Sequence, residues 1–131
     1  MQTPPKSYIA TSAVGYYGTK SKGALDESAP AGSDFLATTC AAWEEASAEL
    51  DSGLEIRRVL LRAGVVLAQD GGALSQMLLP FKLFVGGKVG SGEQVLSWIH
   101  IDDFVKIVQF AIVDDRVQGA INATAPKPVA N

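Results

Sequence analysis

The chain has 131 residues, with 11 Lys and Arg against 14 Asp and Glu, and its net charge of −3 is close to balance for one soluble domain. This balance excludes a basic nucleic-acid-binding arm, and a hydrophobic content of 47% excludes a chain that is disordered by composition. One cysteine and one histidine cannot make an intrachain disulfide or a zinc site of four protein ligands, so no metal site is expected.

No membrane span is expected, because no apolar run approaches the ~20 residues that a spanning helix needs. Arg62 interrupts the run 59–68, and Pro80 and Lys82 interrupt the run 77–85. The first six residues contain no apolar or arginine-rich targeting pattern. We therefore expect a soluble intracellular protein.

The first half of the chain predicts a strand, a loop and a helix. Residues 7–12 form a short apolar run that ends in hydroxyl side chains before a glycine-bounded turn, and residues 19–32 are polar, as in a loop. Residues 34–50 are predicted to be an amphipathic helix, capped by Ser33 and ended near Gly53. Its apolar stripe comprises Phe35, Leu36, Thr39, Cys40, Trp43, Ala46 and Leu50.

The second half continues the alternation of strands and helices. Residues 56–67 predict one strand covered on both faces, and residues 73–84 predict a helix that Pro80 kinks or divides in two. A glycine-rich loop over 85–92 precedes a strand over 95–101, and Asp102 is the predicted N-cap of the next helix. That helix has a stripe of Phe104, Val105, Ile107, Val108, Ala111 and Ile112, and a last strand follows over 120–124.

This order predicts an α/β fold with a parallel sheet, and such sheets bind ligands at the carboxyl ends of their strands. Several motifs in order carry a more specific resemblance. They are SAVGYYG at 12–18, DFLA at 34–37, CAAWE at 40–44, LRAGVVL at 61–67, GGAL at 71–74, GGKVGSG at 86–92, SWIHIDD at 97–103 and INATAP at 121–126. Together they cover nearly the whole chain.

In these motifs the chain resembles the atypical, extended short-chain dehydrogenase/reductase family, in its NAD(P)-dependent epimerase subgroup with a plastid branch. The resemblance implies that residues 1–131 form a single partial domain, the C-terminal part of a Rossmann-type doubly wound parallel sheet with flanking helices. The family's glycine-rich turn, which holds the dinucleotide diphosphate, has no counterpart in the sequence. We therefore expect a truncated member of the family.

The resemblance implies NADP or NAD as cofactor, a small-molecule substrate, and either oxidoreductase or epimerase chemistry or a non-catalytic nucleotide-binding regulator. Ser12 matches the strand hydroxyl that orients the substrate, with Thr11 beside it in the cofactor site. A structural hydroxyl that satisfies turn amides is the alternative for Ser12. Arg62 is expected to contact phosphate, ribose or substrate, or else to form a structural ion pair.

The family's catalytic Tyr and Lys, four residues apart on one helix, are not evident. Tyr16 and Lys20 have this spacing but fall in a glycine-containing turn, so we interpret them as unrelated to catalysis. By resemblance, Leu36 and Cys40 occupy the two positions, and neither side chain replaces the proton chemistry of the pair. This departure favours the regulator.

Several other side chains have both a functional and a structural interpretation. For Cys40 we favour an inert core residue over a nucleophile, because no base is evident in the sequence. For His100 we favour a hydrogen bond to the backbone over a proton shuttle. Tyr16, Tyr17 and Trp98 are expected to pack near the cleft, and with a net acidic chain no nucleic-acid partner is expected.

Overall fold

The computed structural model describes residues 4–19, 23–50, 56–88 and 90–130, which form an α/β structure. The described strands are β1 (Ser7–Ala13), β2 (Arg57–Ala63), β3 (Val65–Ala68), β4 (Val95–Leu96), β5 (Trp98–His100), β6 (Gly119–Ala123) and β7 (Val129–Ala130). The described α-helices are α1 (Phe35–Glu45), α2 (Gly72–Lys82) and α3 (Ile101–Val113), and a short 3₁₀ helix covers Val14–Tyr17.

The central sheet is parallel, with strand order β1-β2-β6, and this confirms the predicted fold class. β3 and β5 form a second parallel pair, whereas β4 and β7 pair in antiparallel fashion. The register of the central sheet places Ser12 beside Arg62, and Arg62 beside Asn122. Three polar residues therefore form one row across neighbouring strands, close to their carboxyl ends.

The prediction of one continuous strand over 56–67 was wrong, because Gly64 divides the run into β2 and β3. A Cβ atom on Gly64 would lie 2.8 Å from the Ser97 carbonyl oxygen, so only glycine allows this close approach. Val65 N–H donates to the same carbonyl over 2.8 Å. Ser97 likewise separates β4 from β5, where a single strand was predicted. Each half of a divided run pairs with a different strand.

The core lies between the sheets and α3. Its fully enclosed members are Val59, Leu61, Ile99, Ala111 and Ala123. Phe104, Ile107 and Val108 of the predicted stripe on α3 pack against this core, as expected, but Val105 and Ile112 are exposed.

The predicted apolar stripe of α1 does not face the core. Phe35 is 80% exposed and Trp43 is 61% exposed, whereas Ala37 and Glu44 are buried. The small side chain of Ala37 lets the helix approach the sheet closely. The helix is also shorter than predicted, because it ends at Glu45, and its N-cap is Asp34, which accepts a hydrogen bond from Ala37 N–H, and not Ser33.

Pro80 lies inside α2 without dividing it, so of the two predicted alternatives, a kink or two short helices, the second was wrong. Hydrogen bonding continues past the proline, because Leu83 N–H donates to the Leu79 carbonyl and Val85 N–H donates to the Pro80 carbonyl. The lost donor of Pro80 therefore does not end the helix.

The N-cap of α3 is His100 and not, as predicted, Asp102. The Nδ1 atom of His100 accepts a hydrogen bond from Asp102 N–H over 3.2 Å, which confirms the expected bond of His100 to the backbone. Asp102 and Asp103 lie in the first turn, where the helix dipole favours negative charge. The imidazole replaces the usual capping oxygen.

Two arginines at the start of β2 bind the carboxyl ends of helices. Arg57 Nη1 donates to the carbonyl of Ala111, in the last turn of α3, and to the carbonyl of Val117, beyond the helix, over 2.7 and 2.8 Å. Arg58 donates to the Glu44 carbonyl over 3.0 Å near the end of α1. The Ala111 carbonyl lies in the last turn of α3, where helix carbonyls lack a partner within the helix, whereas the Glu44 carbonyl also accepts from Ser47 N–H.

Replacing Arg57 with alanine is expected to lower the free energy of unfolding by about 1.5–3 kcal/mol, the range for hydrogen bonds to charged groups. Urea unfolding of the two chains measures the difference. The control is Lys127, a cationic residue that is exposed, and Lys127→Ala should change stability by less than about 0.5 kcal/mol. Equal effects of the two substitutions would contradict the helix-capping role.

Candidate functional site

A buried ion pair lies at the carboxyl end of the central sheet. Arg62 Nε donates to Glu44 Oε1 over 2.9 Å, and Arg62 Nη2 donates to Glu44 Oε2 over 2.8 Å. The two side chains are only 5% and 9% exposed. Such a bidentate pair combines charge with fixed geometry, so it joins β2 firmly to α1.

The pair favours the charged forms of both residues. Burial alone would raise the pKa of the Glu44 carboxyl, but the hydrogen bonds and positive charge of Arg62 outweigh it, and the net pKa of Glu44 is lowered. Burial likewise opposes the charge of Arg62, whereas hydrogen bonds to Glu44 and Tyr17 raise its pKa. Both groups therefore stay ionised at neutral pH.

The remaining donors of Arg62 face other parts of the chain. Nη1 donates to the Tyr17 hydroxyl over 2.9 Å and to the Glu27 carbonyl over 3.3 Å, and the guanidinium carbon lies 3.5 Å from the centre of the Tyr16 ring. The structure thus shows the ion pair that was one of the two roles expected for Arg62. A direct contact of Arg62 with phosphate, ribose or substrate stays a prediction, and the burial of the side chain disfavours it.

Asn122 completes a network that the sequence did not predict. The Tyr17 hydroxyl donates to Asn122 Oδ1 over 2.7 Å, and the Glu27 carboxylate accepts from Asn122 N–H over 2.8 Å. Tyr17 is therefore part of a polar network as well as a packing group. The signal available in the sequence was Arg62 itself, because a cation in an apolar strand requires a buried acid.

Ser12, the predicted catalytic residue, lies beside this network. Ser12 is 8% exposed, and its hydroxyl has no hydrogen-bond partner among the residues that the structure describes. The Ser12 hydroxyl lies near enough to the Glu44 carboxylate to lower the pKa of Glu44, but the two groups do not have standard hydrogen-bond geometry. No turn amide bonds to the Ser12 hydroxyl among the described residues, so the structure does not support the alternative in which Ser12 satisfies turn amides, and the hydroxyl lies enclosed beside the Glu44 carboxylate.

An open cleft of ≈ 310 Å³ borders Ser12. Its walls come from the end of β1 and from α1: Thr11, Ser12, Ala13, Thr39, Cys40 and Trp43. The volume lies at the lower end of the range for small-molecule sites. Thr11 and Ser12 are therefore brought together, as predicted, whereas Arg62 does not line this cleft.

The positions assigned to the family's Tyr and Lys lie at the same place. Cys40 lines the cleft and is half-buried, so the expectation of a core cysteine was wrong. A Cβ atom on Gly15 would be 3.6 Å from Leu36 Cβ and 3.7 Å from Cys40 Sγ, so both side chains lie against the turn after β1. Tyr16 belongs to the 3₁₀ helix, and Lys20 falls outside the described residues.

No helix among the described residues has both the length and the apolar character required to cross a membrane. In the same ranges, no group of three or more His, Cys, Asp or Glu side chains is arranged to hold a metal ion.

The chain is similar in sequence to proteins of the epimerase family. It is 46% identical over 125 residues to the chloroplastic homolog of the epimerase family protein SDR39U1 from Arabidopsis thaliana, covering 95% of this chain and 35% of the relative. It is 41% identical over 129 residues to the human epimerase family protein SDR39U1, covering 98% of this chain and 43% of the relative. No protein-family model matches the chain.

Solved structures agree with these relatives. A nucleoside-diphosphate sugar epimerase from Corynebacterium glutamicum superposes with a TM-score of 0.86 at 43% identity, covering 95% of this chain and 27% of that one. The human epimerase family protein with NADPH superposes with a TM-score of 0.85 at 38% identity, covering 97% of this chain and 43% of that one. The resemblance deduced from the sequence motifs is confirmed: over almost its whole length the chain is related to the epimerase family proteins, and it spans 35% to 43% of the length of the curated relatives described above.

Proposed function

We propose that residues 1–131 contribute one wall of an NAD(P)-dependent epimerase or oxidoreductase site, in a single partial domain. The observation that carries this proposal is the cleft at the carboxyl end of β1, which is lined by the hydroxyl-bearing residues Thr11 and Ser12. Parallel α/β sheets bind ligands at the carboxyl ends of their strands. The human relative solved with NADPH supports a dinucleotide as that ligand, and NAD and NADP remain alternatives.

The cleft fits the reacting end of a dinucleotide with a small substrate. Thr11 and Ser12 offer hydroxyls that donate or accept hydrogen bonds, and Trp43 and Ala13 offer apolar surface. A bound nicotinamide would supply hydride transfer. Ser12 would hold the oxygen of the substrate, while Arg62 holds Glu44 and Tyr17 in place behind the cleft. The chloroplastic relative supports the plastid as compartment.

A non-catalytic nucleotide-binding regulator is the second proposal, and one observation favours it. Leu36 and Cys40 occupy the positions assigned to the catalytic pair, and both lie against the turn after β1. Leucine has no proton to transfer, and a thiol is not a fixed cation. Ligand binding without proton transfer agrees with such a site.

Titration with NADPH and NADH, followed by the fluorescence of Trp43 and Trp98, tests binding. Ser12→Ala should weaken binding by roughly threefold to tenfold, because it removes one hydrogen bond of about 0.5–1.5 kcal/mol. The matched control is Ser75→Ala, since the Ser75 hydroxyl is exposed and bonds to its own helix. Equal affinities of the Ser12→Ala and unaltered chains would refute the role of Ser12.

Turnover then separates the two proposals. A panel of carbonyl compounds is incubated with the chain and reduced cofactor, and oxidation of the cofactor is followed by absorbance. Oxidation that is lost in Ser12→Ala supports the enzyme, whereas binding without oxidation supports the regulator.

A further inference from the structure

The helix α2 has an apolar stripe that does not face the core. Phe81 follows Met77 and Leu78 by four and three residues, so the three side chains lie on one face of the helix. They are 60%, 48% and 40% exposed, and none of the 11 residues of α2 is buried. On α3, by contrast, the inner stripe packs against the core. An apolar stripe on a helix normally packs against another part of a protein.

The chain beyond α2 extends this stripe. Phe84 is 97% exposed and Val85 is 73% exposed, and the Gly86 backbone lies against the Phe81 ring, where a Cβ atom would clash. Phe84 also has a φ of 59°, which is unfavourable for a bulky side chain. This strained residue gains almost no apolar burial within the single chain. The α2 patch comprises Met77, Leu78, Phe81, Phe84 and Val85.

The α2 patch is large enough for a protein interface. Its two phenylalanines alone expose roughly 300 Å², since an aromatic side chain has about 150–250 Å² of surface. With the three other side chains, the α2 patch reaches the size of the largest apolar patches on monomers, about 300–600 Å². Two such patches together would bury an area near the lower end of specific interfaces, about 1,200 Å².

The charges at the two ends of α2 fit a second copy of the chain. Asp70 precedes the helix and Lys82 ends it, both are exposed, and residues 71–81 and 83–87 carry no charge. In a two-fold pair of antiparallel α2 helices, Lys82 of each copy lies opposite Asp70 of the other, so the ion pair forms twice. The helix dipoles are then antiparallel as well, which is the favourable arrangement.

We propose that the α2 patch is the contact surface between two copies of this chain, with their α2 helices antiparallel. Position 76 is midway between Asp70 and Lys82, so the two-fold axis passes close to Met77. Phe84 of each copy then covers the start of the other α2. The cleft at the end of β1 is lined by residues of β1 and α1, so this proposal is independent of the proposed nucleotide site.

Sedimentation equilibrium of the 131-residue chain over about 1–100 µM tests the proposal, because interfaces of this size include micromolar ones. We expect a reversible dimer with twice the 13.8 kDa mass of one chain. Phe84→Asp should raise the dissociation constant by roughly tenfold or more, because it places a charge in the apolar contact. The matched control is Phe35→Asp on α1, because Phe35 is 80% exposed outside the α2 patch, and this change should leave the constant as it was.

An exchange of charges tests the antiparallel arrangement. Lys82→Glu alone and Asp70→Lys alone should each weaken the dimer by roughly threefold to tenfold at low salt, because each brings like charges together at two places. The double substitution should restore the dissociation constant to within roughly threefold of its original value. A double variant as weak as the single variants would overturn the antiparallel arrangement.

Two other results would refute the proposal. A chain that stays monomeric over the whole concentration range would leave the α2 patch to a different occupant. The part of the family domain outside residues 1–131 is then the candidate, because the chain spans only 35% to 43% of the length of the curated relatives. Association that Phe35→Asp and Phe84→Asp weaken equally would be non-specific and would not involve the α2 patch.

Discussion

Replacing Glu44 with alanine is expected to lower the free energy of unfolding by about 3–5 kcal/mol, the usual cost of breaking a buried ion pair by removing one partner. The substitution leaves the Arg62 guanidinium buried, with two of its hydrogen bonds lost. The remaining bonds to the Tyr17 hydroxyl and the Glu27 carbonyl do not neutralise its charge. Urea unfolding followed by circular dichroism measures the change.

The neighbouring Glu45 is the matched control, because it is exposed on the same helix. Glu45→Ala should change stability by less than about 0.5 kcal/mol. The double substitution Glu44→Leu with Arg62→Met should recover most of the loss, since apolar side chains of similar volume replace buried pairs well. A double variant as unstable as Glu44→Ala alone would show that packing, and not the unpaired charge, causes the loss.

Acid should destabilise the chain through the same carboxylate. The pKa of Glu44 is lowered in the folded chain, so its ionised form stabilises the fold above the ordinary value of 4.5. This contribution is lost as the pH falls below 4.5 and through the lowered pKa. Glu44→Gln removes it, and the stability of that variant should depend less on pH over this interval.

Sequence reasoning located this site but not its partners. An arginine in an apolar strand indicated either a ligand contact or an ion pair, and the structure shows the ion pair. The choice of Glu44 depends on which face of α1 meets the sheet. Apolar periodicity suggested the face of Phe35 and Trp43, whereas the helix turns Ala37 and Glu44 inward.

Predicted element types agree better with the structure than predicted boundaries do. Parallel strands and three helices follow from apolar runs and their spacing. The break at Gly64 cannot be predicted from apolar runs, because it depends on the approach of the Ser97 backbone from a distant part of the chain. The cap of α3 was missed for a related reason, since an imidazole nitrogen acting as acceptor is rare beside the usual Asp or Ser.

The second large loss of stability is expected on the face of β2 opposite Arg62. Leu61 is fully buried between Thr11 and Ile121 of the neighbouring strands, in the core with Val59 and Ala111. Leu61→Ala is expected to lower the free energy of unfolding by about 2–5 kcal/mol, because it loses apolar burial and leaves a cavity. This is a large part of the stability of an ordinary domain, about 5–15 kcal/mol.

Two further variants keep the Leu61 prediction testable if Leu61→Ala unfolds. Leu61→Met conserves side-chain volume and should cost less than about 1.5 kcal/mol. Leu79 is 53% exposed on α2, so Leu79→Ala should cost far less than the same change at Leu61. Similar losses at Leu61 and Leu79 in urea unfolding would show that the core does not lie where the sheet and α3 meet. A loss confined to Leu61, together with the Glu44 result, would show that β2 is held from both faces by different forces: apolar burial on one side and a buried ion pair on the other.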